Sequence, residues 1–264
     1  MTTDARWLGS MPEVYDRCLA SALFTPFAEY LAHIAADLAP RRVLELAAGT
    51  GIVTRALVDA LPDADITATD LNPAMVEWGR ARVPEVIWQS CDAQRLELPE
   101  SSFDLLVCQF GVMFFPDRPA SFAEAARVMA ADGRYLLTAW DRAENSHFPA
   151  ALIDAFETVV GERSRFLTEV PHGYFDPDRI RADLVAGGLA IDSLDRVVLR
   201  GGASSARVVA EGYCFGSPVR FELEKHGDLA ELAAAVGDEM TRRLGDGPVT
   251  SDLPAFVVLA RHAA

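Results

Sequence analysis

Val43-Leu-Glu-Leu-Ala-Ala-Gly-Thr-Gly51 is an apolar run of strand length that breaks into a glycine-rich turn. Ile52 to Ala60 follows with helical spacing, and a second β-like segment, Ile66-Thr-Ala-Thr-Asp70, closes on a carboxylate. A strand that runs through such a turn into a helix brings backbone close to a ligand. An acidic residue ending the next strand is placed to grip a ribose diol. Together they point to a nucleoside-containing cofactor held at the edge of a parallel sheet.

The rhythm continues outward from this stretch. Arg42 to Leu46 is the first strand, and Leu61-Pro62-Asp63 ends the first helix. Asn72-Pro73 reads as an N-cap with proline at the first helical position, opening a helix through Met75, Val76 and Ala81. Val86 to Trp88 is a third strand, followed by a turn at Ser90-Cys91-Asp92-Ala93. Phe103 to Cys108 is a fourth, buried on both faces because its apolar character is unbroken. A helix from Ser121 to Ala130 and a turn at Asp132-Gly133 lead to a fifth strand, Arg134 to Trp140. Strands and helices alternating in this way make a parallel sheet covered on both faces.

The second half is less regular. Phe148 to Val160 and Asp176-Pro177 to Val185 read as helices, Ala190 to Leu199 as a strand, and Ala255 to Arg261 as the last strand. Helix-like stretches lie near Ser205 to Phe215 and Asp228 to Leu244. The expected organisation is a single domain over 1–264, with a helical segment at 1–40 and helical inserts at 144–175 and 203–247. Inserts at the carboxyl end of a parallel sheet commonly form a lid over the ligand crevice. Aromatics recur in them (Phe148, Phe156, Phe166, Tyr174, Phe175, Tyr213, Phe215, Phe221) and suggest an apolar chamber, or the inserts' own core.

Composition sets outer limits. Of 264 residues 50% are hydrophobic and 24% charged, enough for a sizeable core. The net charge of −15 repels polyphosphate backbones, so no nucleic acid is expected as a partner. Cys18, Cys91, Cys108 and Cys214 form no CxxC pair and suggest neither a metal site nor a disulfide framework, Cys91 and Cys108 reading as buried small hydrophobes. Met1 to Leu8 lacks the basic and apolar regions of a signal peptide. The most apolar run, Leu105 to Phe115, is too short to cross a bilayer. A cytoplasmic protein without a membrane partner is expected.

The residues Glu45-Leu-Ala-Ala-Gly-Thr-Gly51, Asp70, Cys91-Asp92-Ala93 and Phe103-Asp-Leu-Leu-Val-Cys-Gln-Phe-Gly111 resemble a class I S-adenosylmethionine-dependent methyltransferase. The likeness is to the small-molecule branch that includes the quinone-biosynthesis C-methyltransferases. It implies a doubly wound, Rossmann-like α/β sheet of seven strands in the order 3-2-1-4-5-7-6, the last antiparallel, with helical cap inserts. It implies S-adenosylmethionine as cofactor, S-adenosylhomocysteine as product, and a small-molecule acceptor for a monomer or homodimer.

The resemblance also assigns residues. Glu45, Ala47, Gly49 and Gly51, with Ala48 and Thr50 between them, match the motif that cradles the amino-acid end of the cofactor. Asp70 matches the carboxylate on the ribose hydroxyls, and Leu71 and Met75 its apolar neighbours beside the adenine. Asp92 and Ala93, beside Cys91, match the adenine edge, and Gln109, beside Phe110, the position next to the transferred methyl. The first motif glycine is Ala47 here, so backbone approach at that point must tolerate a methyl group. Tyr15, ahead of the sheet, is a further candidate for the cofactor's carboxylate end, or part of a packed amphipathic helix.

Two other readings stay open. A nicotinamide-dependent oxidoreductase would carry Gly or Ala at position 54, where Thr54 stands. A catalytically inactive methyltransferase-like binding protein would keep the same motifs. If a general base is used, His147 and His172 are the candidates, while His33 and His262 read as structural. Gln109-Phe-Gly-Val112 stands where amino-group methyltransferases resemble one another in an Asn/Asp-Pro-Pro-Tyr/Phe clamp, which favours a small molecule as substrate.

Overall fold

A computed structural model describes residues 9–263; Met1 to Leu8, read above for a signal peptide, lie outside them. Five strands run parallel: β1 (Arg42–Leu46), β2 (Asp65–Asp70), β3 (Ile87–Ser90), β4 (Phe103–Gln109) and β5 (Met129–Trp140). Two more, β6 (Leu189–Ala203) and β7 (Val249–His262), complete one seven-stranded sheet among the described residues, in the order β3-β2-β1-β4-β5-β7-β6. β7 lies between β5 and β6, antiparallel to both. This is the doubly wound, Rossmann-like order that the resemblance implied.

Burial follows the sequence pattern. β4, at the centre, buries Leu105, Leu106, Val107 and Cys108 completely, as a strand covered on both faces must. The helices that cover the sheet are α1 (Met11–Leu19), α2 (Thr25–Leu38), α3 (Ile52–Ala60), α4 (Pro73–Arg82), α5 (Arg118–Val128) and α8 (Pro177–Ala186). Asn72 caps α4 by accepting the Ala74 N–H, with Pro73 at the first helical position. The 144–175 segment folds into α6 (His147–Val160) and α7 (Arg165–Glu169). The 203–247 segment folds into α9 (Ala206–Gly216), α10 (Val219–Leu223) and α11 (Leu229–Leu244).

Some elements differ from the reading of the sequence. β5 begins at Met129 rather than after Asp132-Gly133: Phe103 pairs with Met129 and Leu105 with Arg134, so 130–133 bulge out of register. β6 and β7 both run longer than their apolar cores, because they pair with each other from Leu189 and His262 to Ala203 and Val249. Between α1 and α2 the chain makes a π-helical turn, Ala20–Phe24, with no signature in residue type. Among the described residues, one helical run, Met11–Leu38, 28 residues long, is long and apolar enough to cross a membrane; half of its most apolar window is buried inside the fold.

Candidate functional site

The parallel register ends β1, β2, β3 and β4 at one edge of the sheet, with Leu46 beside Thr69, Asp70 beside Ser90 and Gln109 beside Thr138. A single cavity opens there, closed from above by α1, the π turn and the two helical segments. Tyr15, Glu45, Ala47, Ala48, Gly49, Thr50, Asp70, Leu71, Met75, Cys91, Asp92, Ala93, Gln109 and Phe110 all line it. Gly51 does not. It caps α3 from behind at φ +83°, where an added Cβ would stand 3.0 Å from the Trp88 ring.

The turn after β1 alternates through the left-handed region, with φ +54° at Ala47, +57° at Gly49 and +83° at Gly51. The Gly49 N–H donates to Asp70 Oδ2 at 2.8 Å, and the Asn72 N–H to Asp70 Oδ1 at 2.8 Å. Two backbone donors thus orient the Asp70 carboxylate at the cavity rim. Asp92, one strand further along, accepts the Gln94 N–H at 2.8 Å. Cys91 is half-buried rather than buried, and burial pushes its thiol pKa up.

Ala47 keeps its methyl because the facing position has none. A Cβ at Gly111, in the turn after β4, would lie 2.5 Å from Ala47 Cβ and 2.7 Å from Cys108 Sγ. The alanine that replaces the motif's first glycine is matched by a glycine on the neighbouring strand end, a pairing visible only once β1 and β4 are side by side.

Glu45 lies under the turn, 1% exposed, and Thr54 Oγ1 donates to its Oε2 at 2.6 Å. Burial pushes this carboxyl up to about 8, against the smaller opposite pull of the Thr54 hydroxyl, so it is largely protonated at neutral pH. Thr54, where a dinucleotide turn would want a small residue, holds Glu45 instead. Above the turn, Asp16 of α1 accepts from Thr50 Oγ1 at 3.1 Å and pairs with Arg55 at 3.2 Å and Arg82 at 3.7 Å. That cluster ties the covering helix to α3 and α4. Tyr15 stacks on Phe24, ring centres 4.9 Å apart. Burial is the first cause of the rise in its hydroxyl pKa.

Gln109 Nε2 donates across the cavity to the Phe24 carbonyl in the π turn, at 3.3 Å, while its Oε1 is buried without a partner. Phe110 sits at φ +53° and lies flat on Trp140, the end of β5, at 3.5 Å and 6°. Phe114, Phe115 and Phe166 extend this wall. Of the eight aromatics that the inserts offered, Phe166 and Tyr213 line the cavity, whereas Phe148, Phe156 and Tyr174 are buried in the core. The chamber is aromatic, but most of its rings come from the ends of β4 and β5 and from the π turn. Sequence order gave no sign of this for Trp140 and Phe114, which are remote from each other along the chain.

The two base candidates part company. His147 opens α6 with its side chain exposed, outside the cavity lining, because the chain turns at Ser146 to bury Phe148 instead. His172 lines the cavity and is 6% exposed, with Nδ1 2.8 Å from the Asp141 carbonyl. His33 is exposed on α2, and His262 Nε2 lies 3.2 Å from the Met129 carbonyl.

Comparison with known proteins matches residues 43–133 to a methyltransferase domain. Demethylmenaquinone methyltransferase of Deinococcus radiodurans is 34% identical over 137 residues, 50% of this chain and 55% of that one. Malonyl-[acyl-carrier protein] O-methyltransferase of Geobacter sulfurreducens is 32% identical over 153 residues, 56% of this chain and 55% of that one. The chain thus spans little more than half the length of either relative. Among solved structures, the YcgJ protein of Bacillus subtilis superposes with a TM-score of 0.58 at 20% identity, covering 90% of this chain and 99% of that one. The fold is a doubly wound, Rossmann-like sheet.

Proposed function

We propose that this chain, with a methyltransferase domain at residues 43–133, transfers a methyl group from S-adenosylmethionine to a small apolar molecule and releases S-adenosylhomocysteine. The observation that carries the reading is one cavity shared by the Asp70 and Asp92 strand ends, the left-handed turn at Gly49 and an aromatic wall. The residues fit such a cofactor. Nothing stands within 4 Å of where a Cβ on Gly49 would be, so the turn faces open space. Gln109 adds a buried acceptor without a protein partner.

In this reading Asp70 takes the ribose diol through charge-assisted hydrogen bonds. Asp92 and Ala93 meet the adenine edge, Leu71 and Met75 flank the ring, and the turn from Ala47 to Thr50 seats the methionyl end above Glu45. When bound, the cofactor supplies a sulfonium methyl, an electrophile that needs no metal. The chain's own part is to hold an acceptor in line beside Phe110 and Trp140 and to keep water out, which converts a bimolecular search into a positioned reaction. The nicotinamide reading finds no support at the turn, where Thr54 is committed to Glu45.

Net charge −15 supports a small molecule rather than nucleic acid as substrate. Four unpaired cysteines support a reducing cytoplasm as the place of action. The test is a tritiated-methyl screen against phenols, quinols, polyketides and amines. Label transferred to an uncharged ring compound supports the reading; label transferred to none of them contradicts it.

A further inference from the structure

The strand order puts the ends of β3, β2 and β1 on one side of the cavity and those of β4 and β5, with the inserts, on the other. Among the described residues, no Lys or Arg lines either side. A carboxylate or phosphate acceptor would therefore lose its hydration without gaining a counter-charge from the chain's own residues. The far side is built of rings: Trp140 lies flat on Phe110, and Phe114 sits 6.3 Å from Phe166. Such walls suit a flat, uncharged ligand.

His172 is set into this side, its ring 6.2 Å from that of Trp140. A carbonyl only accepts, so the 2.8 Å contact to the Asp141 oxygen fixes the proton on Nδ1 and makes Nε2 the basic atom of the neutral ring. No protein group among the described residues hydrogen-bonds Nε2. The carbonyl is itself held in place. The Asp141 N–H donates to the Pro254 carbonyl at 3.1 Å. Its carboxylate accepts from the Arg142 N–H at 2.7 Å, Asn145 Nδ2 at 2.9 Å and Arg196 Nε at 2.8 Å. Burial lowers the imidazole pKa, opposed by the Asp141 carbonyl and by the Glu144 and Asp141 carboxylates, which are the titratable groups that act on it. The ring is neutral at pH 7.

We propose that His172 Nε2 is the general base for an uncharged aromatic hydroxyl, making the reaction an O-methylation of a phenol-type acceptor; this rests on the methyl-transfer reading above. The acceptor's O–H proton passes to Nε2 while the oxygen lone pair forms the bond to the methyl carbon. The carbon–sulfur bond breaks and its electron pair stays on sulfur. The products are a methyl ether, S-adenosylhomocysteine and an imidazolium, which returns its proton to water as the ether leaves. Asp141, Asn145 and Arg196 are positioning residues that hold the ring in one tautomer.

The experiment uses 4-nitrophenol as probe on the S-adenosylhomocysteine-loaded protein, at a pH below the probe's own pKa. The neutral probe is expected to donate its hydroxyl to Nε2 and so to bind about tenfold more tightly in calorimetry than nitrobenzene, which lacks the hydroxyl. His172→Asn keeps a nitrogen donor for the Asp141 carbonyl and removes the base; it should melt like the parent, bind S-adenosylhomocysteine equally and lose the preference for the hydroxyl. Turnover of ring-substituted phenols by His172→Asn should fall about 100-fold or more, the loss shrinking as the phenol becomes more acidic. If S-adenosylhomocysteine binds normally and nitrophenol binds no better than nitrobenzene, or equally well to both proteins, the proposal alone is overturned. If S-adenosylhomocysteine itself fails to bind in calorimetry, the methyl-transfer reading falls and takes the proposal with it.

Discussion

The two sides of the cavity are built in different ways. On one, Glu45 to Thr50, Asp70 and Asp92 come from consecutive strand ends, each fixed by a turn a few residues long and by main-chain hydrogen bonds such as Gly49 to Asp70. On the other, Phe24, Phe110, Trp140, Phe166 and His172 arrive from the π turn, the ends of β4 and β5, α7 and the turn after it, and meet mainly through packing. Local rules specify the first side, and tertiary structure specifies the second. In the function proposed above, the methyl donor, common to many enzymes, needs only the first side, and the acceptor, which distinguishes one enzyme from another, meets the second.

The independence of the two sides is most exposed to test at Asp70. Asp70→Ala should weaken S-adenosylhomocysteine binding by one to two orders of magnitude, ~1.5–3 kcal/mol for a hydrogen bond to a charged group, and leave capture of an aromatic probe such as 2-naphthol unchanged. Equal loss of both ligands in calorimetry would mean that the two sides are not separable.

Gly111→Ala tests where the two sides touch. The new methyl would press on Ala47 and Cys108, for an expected loss of about 1–3 kcal/mol in denaturant unfolding. Ala47→Gly in the same chain should recover part of it, and strictly additive losses would contradict the facing of these two residues.

Glu45 reports on the first side through pH. Below its ordinary value of 4.5 the carboxyl is protonated in folded and unfolded chains alike. Between there and about 8 the unfolded chain gives up the proton while the folded chain keeps it, so stability falls as pH rises; beyond about 8 the loss is complete. Glu45→Gln should remove this slope and gain roughly 1.4 kcal/mol for every tenfold by which burial weakens the acid. Melting curves from pH 5 to about 9 read it, and an unchanged slope would show that the carboxyl is already ionised in the folded protein.

The smallest effect belongs to Asp16. Its pairs with Arg55 and Arg82 are partly exposed, so Asp16→Ala should cost about 0.2–1 kcal/mol of stability. Added salt should shrink that cost, as calorimetric melts at low and high ionic strength would show.

The same division explains what the sequence disclosed. β1, its turn and α3 are legible in Val43 to Ala60 because strand period, glycine and helix spacing change within a few residues. Asn72-Pro73 announces α4 by its capping chemistry. The partnership of Ala47 with Gly111 is invisible in the chain, since it depends on β1 lying next to β4. His147 and His172 look alike as sequence; the Ser146 turn exposes one, and the Asp141 carbonyl draws the other into the cavity. The π turn that carries Phe24 has no residue signature, because a single inserted residue in a helix is set by what it packs against.

Whether the first side seats the methyl donor is decided by calorimetric titration of S-adenosylhomocysteine into the wild-type protein and Asp70→Ala. Saturable binding by the wild type, weakened tenfold or more by the substitution, is the expected result. Absence of binding by the wild type, or equal affinity in the two proteins, would contradict it.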